Sequence, residues 1–113
     1  MPLNLPGGAA ALRAWRDTDP TVTGICAYND EVAIAVLGAA QRYGLDIPRD
    51  LAVIGADNIP IAAVTVPALT TVQPDTAAVS RQIADTIVRK LHGRSAPRWP
   101  HSDLYTVIRR DSA

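Results

Sequence analysis

Two short polar clusters, Tyr28-Asn29-Asp30 and Asp57-Asn58, interrupt otherwise apolar stretches of this chain. Each follows a strand-like run, Val22–Ala27 in the first case and Leu51–Ala56 in the second. Open α/β sheets place their ligands just beyond the C-terminal ends of their strands. A carboxylate only accepts hydrogen bonds, which suits the hydroxyls of a sugar or the N–H groups of a purine. By position Asp57 is a candidate contact, as are Asn29, Tyr28 and Asn58 of the same two clusters, Tyr28 by stacking its ring on a ligand. Structural roles stand beside each of these. Asn29 or Asp30 caps a following helix, and Glu31 suits the first-turn dipole. Asp57-Asn58 forms a turn, because both types bond their own backbone. Tyr28 serves equally as a half-buried packing residue, and Cys26 reads as inert strand packing.

Other chemistry is poorly supported. The sequence holds no Gly-rich phosphate loop, no G-x-G-x-x-G, no C-x-x-C and no G-x-S-x-G elbow. His92 and His101 lie apart, neither at metal-ligand spacing from another donor, so no metal and no cofactor is expected. An enzymatic use of Asp30 or Asp57 as nucleophile or base is permitted by position and accompanied by no motif. Eleven basic and 11 acidic residues cancel, which argues against a phosphate-tracking surface. The one cysteine forms no internal disulfide and fits a reducing cytoplasm. The first six residues contain two prolines and no Lys or Arg, so no secretory leader is read there. Val32–Ala40, the longest apolar run, is far shorter than the roughly 20 residues a membrane helix needs.

The elements that must position the clusters alternate between helix and strand. Helices are expected over Gly7–Arg16, about Glu31–Tyr43 and about Thr76–His92, the last two ended by Gly44 and Gly93. Strands are expected over Val22–Ala27, Leu51–Ala56, Leu69–Val72 and Leu104–Arg109, with loops over Leu45–Arg49, Ile59–Pro67 and Gly93–Pro100. Continuous apolar strands belong to parallel sheets with both faces covered, so the fold class is α/β with a mainly parallel sheet flanked by helices. No repeat and no internal domain boundary shows, although Val72–Asp75 offers a crossing point. The helix at Glu31–Tyr43 is apolar nearly all round and needs a partner on a second side. In so short a chain that suggests another subunit.

Four segments, in this order, resemble the effector-binding core of the LacI/GalR family of transcription regulators. They are Ala27-Tyr28-Asn29-Asp30-Glu31-Val32-Ala33, the stretch from Gly44 to Asn58, Pro67-Ala68-Leu69-Thr70-Thr71-Val72, and the terminal Arg109-Arg110-Asp111-Ser112 with its R-x-S pattern. The resemblance runs from about residue 8 to the end. It implies a partial periplasmic-binding-protein-like domain, the C-terminal portion of a regulator's effector-binding and dimerisation domain, without a helix-turn-helix headpiece. Asp57 then matches the aspartate that reaches into the effector cleft, and Asn29 a cleft-edge asparagine. Cys26 stands where many members carry a stacking aromatic, Ala56 where Phe or Tyr is usual, and Gln73-Pro74 in place of a basic-residue–Gln pair. These departures leave the effector's identity open.

The same resemblance implies a repressor-type regulator with a sugar-like effector, operator DNA being reached only through the absent headpiece. With half a cleft, this chain is expected to bind effector weakly or not at all, and DNA not specifically. A solute-binding module of periplasmic type shares the fold and remains an alternative. In the family the helix like Thr76–His92 packs on an N-terminal subdomain. Its stripe of Val79, Ile83, Ile87 and Leu91, left in water, forfeits on the order of 6–12 kcal/mol, against a typical domain stability of about 5–15 kcal/mol. The stripe is therefore expected to repack on its own sheet or on a second copy, giving a homodimer or higher oligomer, with helix exchange as one route.

Overall fold

The computed structural model describes residues 4–98 and 104–113. Helix α1 (Leu5–Thr18) starts earlier than Gly7, because Asn4 caps it: its Oδ1 accepts from Gly7 N at 2.8 Å, and Pro6 sits in the first turn where no N–H is missed. Strand β1 (Gly24–Cys26), helix α2 (Asp30–Arg42) and strand β2 (Ala52–Ala56) follow. A 3-10 turn at Pro60–Ala63 lies within the expected loop. Strand β3 (Thr70–Pro74), helix α3 (Thr76–Leu91) and strand β4 (Tyr105–Ile108) complete the order. The four strands form one sheet in the order β1-β2-β3-β4. The β1–β2 and β2–β3 pairs are parallel, with Cys26 opposite Ile54 and Gly55 opposite Thr71. The expected α/β class with a mainly parallel sheet is what is found.

The core explains why α2 is apolar all round. Leu12 of α1, Ala33, Val36, Leu37 and Ala40 of α2, and Leu51 and Val53 beside and within β2 form one buried cluster. One side of α2 packs on β2 and another on α1. The second partner expected from another subunit is therefore α1 of the same chain. Its close approach requires Gly8, where a Cβ would run into the Ala35 carbonyl. Two further expectations are corrected. β1 is shorter than Val22–Ala27, and as an edge strand it leaves Gly24 and Cys26 exposed, so Cys26 is not buried packing. Burial in β2 alternates, Val53 and Gly55 being sealed while Ala52, Ile54 and Ala56 are partly open. Only the face toward α2 is closed, not both.

The chain divides into two compact units, Met1–Val72 with Val107–Ala113, and Gln73–Thr106. The break falls in the stretch singled out as a crossing point, where the sequence shows no change of composition. In the second unit Asp75 Oδ1 caps α3 by accepting from Ala78 N at 2.9 Å, and Arg89 pairs with Asp85 at 2.8 Å. No α3 residue is buried, and Ile83, Ile87 and Leu91 are 56%, 54% and 79% exposed. His92 caps the end of α3 through its N–H. The loop expectation at Trp99-Pro100 and the reading of His101 fall outside the described residues.

Candidate ligand-binding site

The first polar cluster is divided in its roles. Asn29 is the cap of α2: it is extended, and its Oδ1 accepts from Val32 N at 2.9 Å. Asp30, the first helical residue, has no exposed surface. Its Oδ1 accepts from the Thr71 hydroxyl at 2.5 Å and its Oδ2 from Ile59 N at 2.8 Å. Both oxygens are thus engaged inside the protein, an arrangement that suits a structural anchor and not a nucleophile facing substrate. Gly55 makes room for it, since a Cβ there would collide with the Asp30 carboxylate. Asp30 consequently stitches the end of β1 to the loop after β2 and to β3.

The second cluster is a backbone corner. Asp57 and Asn58 have φ of 97° and 52°, left-handed values that Asn and Asp tolerate better than most residues. Asp57 N donates to Val72 O at 2.8 Å, and Asn58 N to the Thr71 hydroxyl at 3.4 Å. The Asn58 Oδ1 accepts from Arg110 Nη2 at 2.7 Å. The Asp57 side chain is exposed, and among the described residues its carboxylate has no hydrogen-bond partner. The turn-forming role therefore belongs to the backbone of both residues, while the Asp57 carboxylate is left to face outward.

Asn29, Asp57 and Asn58 thus lie beyond the same end of the parallel pair β1–β2. Tyr28 is 89% exposed, not half-buried. It borders an apolar groove of about 550 Å³ that also takes in Trp15, Val22, Ile25 and Val32, beside β1. Asp57 and Asn58 do not line that groove. At its rim Asp19 is held below the usual aspartate value, first by the Thr21 hydroxyl at 2.6 Å and then by Thr21 N at 2.9 Å. Two residues of the corner escaped sequence reasoning, Thr71 and Arg110. Their signals were the threonine pair after Leu69 and the terminal R-x-S pattern.

Residues 3–113 match the family model described as a periplasmic binding protein-like domain. The chain belongs to this family. It is 38% identical over 100 residues to the transcriptional regulator MalR of Streptomyces coelicolor, covering 88% of this chain and 28% of that protein. It is 33% identical over 109 residues to the regulator GalS of Salmonella typhimurium, covering 96% and 32%. Among solved structures, a LacI family regulator from Arthrobacter in complex with lactose is 31% identical, with a TM-score of 0.68 over 96% of this chain and 41% of that one. The regulator CelR in complex with cellobiose is 27% identical, with a TM-score of 0.74 over 97% and 34%. These matches bear out the resemblance to LacI/GalR regulators. The chain spans about a third or less of the curated relatives it matches. Among the described residues no helix is long and apolar enough to cross a membrane.

Proposed function

We propose that this periplasmic-binding-protein-like chain is the C-terminal part of the effector-sensing domain of a LacI/GalR-type transcription regulator acting in the cytoplasm, and that it is not an enzyme. The observation that carries the reading is the outward Asp57 carboxylate, set in a left-handed corner at the strand ends of a family whose relatives are regulators. In this reading Asp57 accepts from hydroxyls of a sugar-like effector, Asn29 and Asn58 edge the site, and Tyr28 stacks beside it. A ligand that prefers one geometry of the two subdomains then shifts the grip of the headpieces on operator DNA. The sugar class is supported by the lactose and cellobiose held by two structural relatives. DNA contact belongs to a headpiece outside these residues. Self-association of the isolated chain is part of the same reading, with the exposed stripe of α3 as the apolar surface it covers.

The test is a mobility-shift assay of the intact gene product on DNA from its own promoter region, with and without mono- and disaccharides. We expect a sugar to change DNA affinity, and Asp57→Ala to remove that response while DNA binding persists. A sugar response unchanged in Asp57→Ala would overturn the contact assignment. An intact product that neither binds DNA nor responds to any sugar would overturn the regulator reading.

A further inference from the structure

The terminal R-x-S pattern has a place in the fold that its position at the chain's end conceals. Ser112 is fully buried between the starts of β2 and β3. Its Oγ donates to Val53 O at 2.6 Å and accepts from Thr70 N at 2.8 Å, while Val53 N donates to Ser112 O at 2.8 Å. Asp111 N and Ser112 N both reach Ala68 O at 3.0 Å. These bonds lock the register of the last residues against the sheet. They leave Arg110 at a fixed point beside the corner.

Arg110 then makes three contacts. Its backbone N donates to the Thr70 hydroxyl at 2.9 Å, its Nη1 to Leu69 O at 2.7 Å, and its Nη2 to Asn58 Oδ1 at 2.7 Å. A guanidinium is planar, so two of its nitrogens bound at once fix the plane as well as the position. Charge-assisted bonds of this length are among the stronger hydrogen bonds in proteins. One bond goes to the main chain before β3. The other goes to the side chain of the left-handed residue that follows Asp57.

We propose that Arg110 is a positioning residue for the ligand site: it holds Asn58 in its left-handed conformation and so sets the direction of the Asp57 carboxylate. The inference rests on the reading of Asp57 as the effector contact. It adds that the C-terminal segment, 52 residues away in sequence from Asn58, determines the geometry of that contact. Lysine at 110 keeps the charge but reaches one acceptor at a time, so it supports the corner in part.

The experiment uses the intact gene product with Arg110→Met, Arg110→Lys, Asp57→Asn and the double variant Arg110→Met/Asp57→Asn. Lactose and cellobiose are titrated by calorimetry, and the Asp57 and Asn58 amide signals are followed by NMR on selectively 15N-labelled protein. Arg110→Met is expected to move both amide signals and to weaken sugar binding about tenfold, Arg110→Lys to recover part of the loss, and Arg110→Met to cost little more once Asp57 is already Asn. Unmoved amide signals in Arg110→Met overturn the proposal whatever the sugar does. So does a loss on the Asp57→Asn background as large as on the native one, because Arg110 would then act by another route. Moved signals combined with sugar binding indifferent to Asp57→Asn sink the effector assignment instead, while the positioning of the corner stands.

Discussion

Removing the Asp30 carboxylate is the sharpest way to ask whether one buried residue assembles the corner. Asp30→Ala takes both oxygens from a residue with no exposed surface and leaves the Thr71 hydroxyl and Ile59 N–H without their acceptor. A buried donor left unpaired costs about 1–3 kcal/mol, so two cost about 2–6 kcal/mol. Relief of the carboxylate's own desolvation offsets part of this, which places the expected loss near 3 kcal/mol, an order-of-magnitude figure from the same bond values. Asp30→Asn keeps an oxygen for one donor and turns an amino group toward the other, for a loss of about 1–3 kcal/mol. Asn29→Ala is the neighbouring control, since it removes a cap worth about 1 kcal/mol. Urea unfolding followed by circular dichroism, with hydrogen exchange of the α2 amides to report on the first unit, ranks the three variants. The expected order of loss is Asp30→Ala, then Asp30→Asn, then Asn29→Ala. An Asp30→Ala variant no less stable than Asn29→Ala would refute the claim that this carboxylate ties the start of α2 to the loop after β2 and to β3.

Three further outcomes follow from local geometry. Gly8→Ala raises helix propensity by roughly 0.5–1 kcal/mol, yet its Cβ meets the Ala35 carbonyl, so thermal unfolding should show a net loss on the order of 1–3 kcal/mol; a stabilised variant would mean α1 does not lie so close to α2. Asp19, with its pKa lowered by Thr21, contributes stability that is present above its unfolded pKa and lost as pH falls through the lower folded one; NMR titration should place it below a free aspartate, and Thr21→Val should return it upward. Size-exclusion chromatography with light scattering of the chain at micromolar concentration should show self-association that Ile83→Glu/Ile87→Glu abolishes; a well-folded native monomer would sink the role of the α3 stripe.

Most of the element order was legible because alternating apolar runs and helix caps are local signals. The parts that were not legible depend on distant partners. Gly8 was read as helical, but the need for glycine there was not legible, because the Ala35 carbonyl that leaves no room for a Cβ lies 27 residues on, in α2. Val22–Ala27 carries the same apolar character whether its strand is central or at an edge, so its exposure could not be read. The exposed corner at Asp57 was visible from its place after a strand-like run. Asp30 was not visible as an anchor, because an aspartate at a helix start ordinarily faces water, and its partners Ile59 and Thr71 lie 29 and 41 residues on.

The strain at the corner bears on why an aspartate stands there at all. Two consecutive non-glycine residues with positive φ are conformationally costly, on the order of 1–3 kcal/mol each where the surroundings hold them. Glycine at 57 would relieve the strain without disturbing the backbone bond to Val72 O, because that bond needs no side chain. The exposed carboxylate offers the protein no internal hydrogen bond in return among the described residues. By contrast Asn58 makes its strained conformation useful to the fold, since its side chain receives Arg110. The two neighbours therefore differ in kind: the Asn58 side chain is held inside the protein by Arg110, whereas the Asp57 side chain is exposed and has no such internal use among the described residues. Strain kept at a residue with no internal use for its side chain recurs at binding positions, and it is consistent with the ligand contact we propose at Asp57.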